Sequence, residues 1–236
     1  MRLAAISDLH IGARARTDTF GHAEADFLRF LDRLEAAHDV IVLLGDIYQT
    51  DHTVLPGRAQ ERRSLDVARE RTRWFTDRAA QAPYVWVHGN HDAITAEALG
   101  AETTVVLGEP GCRVVLTHGD AYDPTIRAMP RLSRTGTWFA GRVRAMGLRS
   151  VAERLEDQDV QIKARRYGVP EGPYAQAADA LMAEHDAQIV IMGHTHVPSL
   201  QRTARGQLAN SGTCSLGRRM GVSVDTSSGA VRMLDG

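Results

Sequence analysis

Five short runs of aliphatic, β-branched and aromatic residues, each ending in a polar or glycine cluster, constrain this chain more than any other feature. They cover residues 2–7, 39–44, 84–88, 112–118 and 188–193, and their length and composition suit strands rather than helices. In the last of them four apolar residues, Ile189 to Met192, follow one another without alternation, the pattern of a strand covered on both faces. Between the first two runs, residues 22–38 put Phe27, Phe30, Leu31 and Leu34 on one helical face, and residues 62–81 behave similarly. Strands alternating with helices predict an α/β sheet. Beyond position 196, the runs at 197–202, 207–212, 221–226 and 230–235 are separated by glycine and serine turns and predict an antiparallel β tail.

With 236 residues and 43% hydrophobic content, residues 1–236 can bury a sizeable core as one domain carrying an insertion. A net charge of −1 leaves no global basic field, so nucleic acid is not the favoured partner. Cys112 and Cys214 have no CxxC spacing, and the first strand run begins at once. A cytoplasmic protein is expected, with any membrane contact peripheral at the inner face.

The polar ends of the five runs carry the chemistry. They read Asp8-Leu9-His10, Gly45-Asp46, Gly89-Asn90-His91-Asp92, His118-Gly119-Asp120 and Gly193-His194-Thr195-His196. In an α/β sheet the carboxyl ends of strands form the crevice that binds ligands, so these clusters converge. Carboxylates, imidazoles and one carboxamide suit Mn²⁺, Fe or Zn²⁺ rather than a thiolate-selecting metal. Asp8, His10, Asp46, Asn90, His118, His194 and His196 are too many for one tetrahedral ion and suit two divalent ions, Mn²⁺ foremost, sharing a carboxylate. Asp46 is the natural bridge. Strand alternation would send His194 and His196 from one face, with Thr195 pointing away.

These motifs, Asp-x-His, Gly-Asp, Gly-Asn-His-Asp, His-Gly and Gly-His-x-His in this order, resemble those of the calcineurin-like metallophosphoesterases over nearly the whole chain. The resemblance implies a four-layer α-β-β-α sandwich, two mixed β-sheets flanked by helices, with the site across one edge. It also implies a dinuclear phosphohydrolase that cleaves a phosphoester or pyrophosphate bond with metal-activated hydroxide. By the family pattern Asp8, His10, Asp46 and His196 hold one ion, and Asp46, Asn90, His118 and His194 the other. His91 then lies over the phosphate as general acid or charge stabiliser, and residues 210–215 are similar to the family's late Asn-x-Gly-Ser/Thr turn. One departure concerns His91: many members carry, three residues after the bridging aspartate, an aspartate that orients this histidine, and here that position is Gln49. Asp92, taken with His91 as the catalytic pair, and Asp51 are the candidates to replace it. Asp120 and Asp123 are candidate partners of His118, and the remaining histidines, His52 among them, are assigned to packing.

Residues 122–167 leave the strand–helix rhythm immediately after a candidate ligand. They hold ten basic residues against five acidic ones, interleaved with Trp138, Phe139 and Met146. The segment is expected to be a helical insertion acting as a lid, with Arg142 and Arg144 gripping phosphate and Trp138 and Phe139 meeting an apolar body. A long helical insertion after His-Gly-Asp resembles the UDP-2,3-diacylglucosamine pyrophosphatase branch, although typical members carry arginine where this chain has His91. The implied partner is a phosphorylated small molecule or lipid-linked substrate. The alternatives are a nuclease or cyclic-nucleotide phosphodiesterase using the same metals, and a non-catalytic scaffold of this fold.

Overall fold

The computed structural model describes residues 1–14, 18–147, 160–162 and 171–234. In chain order the elements are β1 (Arg2–Ile6), β2 (Ile11–Gly12), α1 (Glu24–Ala37), β3 (Val40–Leu44), β4 (Tyr48–Gln49), α2 (Arg58–Arg71), α3 (Arg73–Ala79), β5 (Tyr84–Val87), α4 (Thr95–Leu99), β6 (Thr104–Glu109) and β7 (Cys112–Thr117). A 3₁₀ turn, Asp120–Tyr122, then leads to α5 (Pro124–Ala128), α6 (Pro130–Ala145), α7 (Pro173–His185), β8 (Ile189–Met192), β9 (Ser199–Arg202), β10 (Gln207–Asn210), β11 (Val222–Asp225) and β12 (Ala230–Met233). Of the insertion expected at residues 122–167, residues 148–159 and 163–167 lie outside the described ones.

Two five-stranded sheets form the centre, ordered β12-β11-β1-β3-β5 and β6-β7-β8-β10-β9. In the first, β1, β3 and β5 run parallel, while β11 and β12 add antiparallel neighbours. In the second, β7, β8 and β10 are parallel, flanked by antiparallel β6 and β9. Both sheets are mixed.

Side-chain alternation sorts the core into three apolar layers between four layers of structure. On β1 and β3, Leu3, Ala5, Val42 and Leu44 face the second sheet, where Val114, Leu116, Ile189, Ile191 and Ala209 meet them. Their neighbours Ala4, Ile6, Ile41 and Leu43 face Phe27, Phe30, Leu31, Leu65 and Phe75 of the α1–α3 helices. On the far side, Val115, Val190, Met192 and Leu208 pack on Tyr174, Ala178, Leu181 and Met182 of α7. Each fully buried aliphatic or aromatic side chain contributes about 1.5–3 kcal/mol. The layering is α-β-β-α, as the sequence resemblance implies.

Three features differ from the sequence reading. The tail is divided: β9 and β10 join the second sheet, with β10 parallel to β8, whereas β11 and β12 extend the first. The helix expected at 62–81 is two helices, broken at Thr72, whose hydroxyl donates to the Ala68 carbonyl at 2.9 Å and competes with the helical ladder. The strand β6 and the helix α7 were not singled out by periodicity.

Asn210, at the end of β10, fastens the fold to the loop after β8. Its buried amide donates to the Gly193 carbonyl at 2.6 Å and accepts from the Gly212 N–H at 3.0 Å. Asn210→Ala is expected to cost about 2 kcal/mol, because buried backbone groups lose their partners. Urea unfolding measures this, and a loss under about 0.5 kcal/mol would show that these bonds do not secure the turn.

Candidate metal centre

Every expected ligand follows the carboxyl end of a strand. Asp8 and His10 lie beyond β1, Asp46 beyond β3, Asn90 and His91 beyond β5, His118 directly after β7, and His194 and His196 beyond β8. Five of the seven, Asp8, His10, Asp46, His194 and His196, have left-handed backbones, with φ of 56°, 50°, 53°, 68° and 61°. Such conformations cost of order 1–3 kcal/mol each and gather at functional sites. His194 and His196 are therefore not strand residues. Left-handed turns present them in place of strand alternation, and the Thr195 N–H bonds back to the Gly193 carbonyl at 2.7 Å. The glycines that open three of the motifs, Gly45, Gly89 and Gly193, answer to crowding. A Cβ on Gly45 would stand 2.4 Å from His118 Nδ1, and one on Gly89 2.3 Å from Asp46 Oδ1.

The donors form three overlapping groups, each with atoms all within 4.8 Å of one another: Asp8, His10 and His196 in one, Asp46, His118 and His194 in another, and His10, Asp46 and His91 in a third that joins them. His196 Nε2 lies 3.0 Å from Asp8 Oδ1 and 3.2 Å from His10 Nε2, while His118 Nε2 lies 3.1 Å from Asp46 Oδ2. Three rings have one nitrogen engaged elsewhere, which designates the other for coordination. His10 Nδ1 donates to Gln49 Oε1 at 2.7 Å, His118 Nδ1 to the Leu44 carbonyl at 2.9 Å, and His194 Nε2 to Asp123 Oδ2 at 3.0 Å.

Burial pushes both the Asp8 and Asp46 carboxyls up. His196 and His10 outweigh it for Asp8, and His118 and His91 for Asp46, so both end well below the usual carboxylate range and are ionised at neutral pH. The buried Asn90 Oδ1 has no hydrogen-bond partner among the described residues. Two buried carboxylates, imidazole nitrogens directed at one another and an unpartnered amide oxygen fit divalent cations with mixed oxygen and nitrogen ligands.

The surroundings of His91 resolve the departure at Gln49. Asp51 Oδ2 lies 3.0 Å from His91 Nδ1. Gln49, with Oε1 committed to His10, donates Nε2–H to Asp51 Oδ1 at 2.6 Å and brings the same nitrogen 2.7 Å from His91 Nδ1. Asp92 does not serve His91. Fully buried, it accepts the backbone N–H groups of Gly89, Asp46, Ile47 and Tyr48 at 2.7, 3.3, 2.8 and 3.2 Å, binding the turn after β3 to the turn after β5. Burial and the nearby Asp46 charge push its carboxyl up to about 6. Likewise Asp123 serves His194 and not His118.

Helix α6 covers the loop after β4. Trp138 on α6 donates Nε1–H to the Thr53 carbonyl at 3.1 Å, and a Cβ on Gly141 would meet the His52 ring at 2.6 Å. Between this helix and the strand ends lies a cavity of about 570 Å³, lined by Asn90, His91, Asp51, Thr53, Asp120, Ile126, Thr135 and Trp138 among others. Of the four residues expected to bind substrate, Trp138 lines this cavity. Phe139 is 60% exposed, Arg142 is half-buried, and Arg144, 1% exposed, is packed inside rather than presented to solvent. Thr53, Ile126 and Thr135 carried no sequence signal, since only the path of α6 brings them together.

Residues 1–198 match the family profile of the calcineurin-like phosphoesterases. The chain belongs to this family, whose members are metal-dependent phosphohydrolases. It is 25% identical over 213 residues to UDP-2,3-diacylglucosamine hydrolase from Aeromonas hydrophila subsp. hydrophila, covering 83% of this chain and 81% of that one. To the enzyme of the same name from Shewanella baltica it is 25% identical over 221 residues, 87% and 86% of the two chains. Among solved structures it is similar to Vps29 from Chaetomium thermophilum, at a TM-score of 0.49 and 13% identity over 99% and 93% of the chains. Zinc-bound Vps29 from Entamoeba histolytica gives 0.47 and 15% over 99% and 97%. Among the described residues, no helix is long and apolar enough to cross a membrane.

Burial beneath α6 lowers His52 to about 4, with the charges of His91, His10 and Arg144 assisting and Asp51 opposing. Because this lies below the ordinary 6.5, the neutral ring stabilises the fold fully above pH 6.5, and that stabilisation fades as pH falls toward 4. Going from pH 7.5 to pH 5 is expected to cost the wild type about 2 kcal/mol more than His52→Gln, read from urea midpoints. Equal pH dependence in the two proteins would contradict the burial of a neutral imidazole.

Proposed function

We propose that this protein hydrolyses a phosphoester or pyrophosphate bond at a dinuclear metal centre, on a nucleotide-linked substrate that carries an apolar body. The observation that carries this reading is the gathering of six His and Asp donors from four strand ends, next to a cavity lined by Asn90, His91 and Trp138. Asp8, His10 and His196 would hold one ion and Asn90, His118 and His194 the other, and Asp46 would serve both. When bound, Mn²⁺ or a similar divalent ion polarises phosphoryl oxygens and lowers the pKa of water.

The chain's own groups do the rest. His91 reaches the cavity wall with Nε2 3.9 Å from Asp46 Oδ2, a position from which it donates a proton to the leaving oxygen. Asp51 holds the opposite ring nitrogen and turns Nε2–H toward the substrate. Trp138 and Ile126 give the cavity its apolar wall. Helices α5 and α6 act as a lid, with exposed Phe139 of α6 meeting acyl chains. The names of the relatives support a UDP-linked diacylated sugar as the first substrate to test, and its acyl chains would bring the protein to the cytoplasmic face of a membrane.

Mn²⁺-loaded protein is expected to cleave such a sugar in preference to the same nucleotide sugar without acyl chains, a cyclic nucleotide or DNA. Asp46→Asn is expected to abolish turnover. His91→Ala should lower kcat by roughly 10²–10⁴-fold with metal content intact, and by less on nitrophenyl esters, whose leaving groups need little protonation. Turnover confined to DNA or cyclic nucleotides would overturn the substrate, and loss of metal from His91→Ala would make that residue a ligand instead of an acid.

A further inference from the structure

Asp123 stands where the insertion leaves the second sheet. It follows the 3₁₀ turn after His118, is 2% exposed, and gives its two carboxylate oxygens to different partners. Oδ1 accepts the backbone N–H groups of Thr125 and Ile126 at 2.7 and 3.4 Å, capping α5. Oδ2 accepts Nε2–H of His194, 71 positions away in sequence, at 3.0 Å. None of the five residues of α5 is fully buried, so the cap that Asp123 supplies bears directly on the order of this short helix.

We infer that Asp123 is a positioning residue for the metal centre and the hinge post of the insertion at once. With Nε2–H given to Asp123, His194 has Nδ1 to offer an ion, and the carboxylate keeps the ring turned toward Asp46 and His118. An ion at that position anchors His194 from the other side, and the anchored ring in turn supplies the donor that keeps Asp123 in its capping position. Occupancy of this ion position and order in α5 are therefore coupled in both directions, as linkage requires. The inference rests on reading these donors as a metal centre, and it is independent of whether the centre hydrolyses anything.

The test uses the full chain, Mn²⁺ alone as ligand and no turnover. Asp123→Asn retains an amide oxygen able to cap α5, but that single oxygen cannot also receive His194. Titration is expected to show one of two Mn²⁺ ions bound about 10–100-fold more weakly, with the second ion, held through Asp8, His10 and His196, unchanged. Trypsin cleavage after the exposed Arg127 is expected to accelerate several-fold when chelator strips the wild type, and to be insensitive to chelator in Asp123→Asn. A measurement needing no variant is the ¹⁵N spectrum of the Zn²⁺-loaded wild type, in which His194 should carry its proton on Nε2. Wild-type affinity for both ions in Asp123→Asn, equal weakening of both, chelator-insensitive cleavage of the wild type, or a His194 proton on Nδ1 would each overturn the inference.

Discussion

A buried carboxylate at the seam between two sheets, that of Asp46, is the point on which the structure depends. Its Oδ1 accepts the His91 backbone N–H at 2.8 Å, its Oδ2 faces the His118 ring, and its own backbone N–H is held by Asp92. Taking an ionised carboxylate out of water costs several kcal/mol unless charges and hydrogen bonds compensate. Here the compensation comes from both sheets: His91 follows β5 of the first, His118 follows β7 of the second, and His118 Nδ1 bonds back to the Leu44 carbonyl of β3. The parallel strands of the two sheets bring their carboxyl ends to one edge, so the need to satisfy Asp46 and the need to close the sandwich have a single solution.

That solution carries strain. Five candidate ligands have left-handed backbones, and glycines at 45 and 89 let side chains approach to distances no Cβ would allow. Strain of this kind persists only where the surroundings over-determine it. The three apolar layers do so, since Leu3, Val42, Leu116 and Ile191 leave no room for the strand ends to shift. The apolar core and the polar rim are thus one construction: the rigid sandwich makes possible a set of donors that would repel one another if they were free to move.

Strands and the positions of the candidate ligands were legible in the sequence because both follow from local pattern. Runs such as Ile189 to Met192 announce a strand buried on both faces, and a polar cluster at each run's end points to the crevice. What was not legible depended on the path of the chain in space. Strand alternation was the wrong reason for the pairing of His194 and His196, which left-handed turns present. Asp92 adjoins His91 in sequence yet is taken by four backbone N–H groups, while Asp51, 40 positions away, reaches the ring. Asp123 follows His118 closely but serves His194, because the 3₁₀ turn redirects it. Arg144 of α6, read as a phosphate grip from its charge, is buried. The division of the C-terminal runs between two sheets also has no local signal, since β10 and β11 are equally short and apolar.

Crystals grown with Mn²⁺ and measured at a wavelength where manganese scatters anomalously would locate the ions around Asp46. Two anomalous peaks are expected, one enclosed by Asp8, His10 and His196 and the other by Asn90, His118 and His194, with the Asp46 carboxylate shared between them. A single peak, or two peaks of which either lies away from Asp46, would contradict this arrangement.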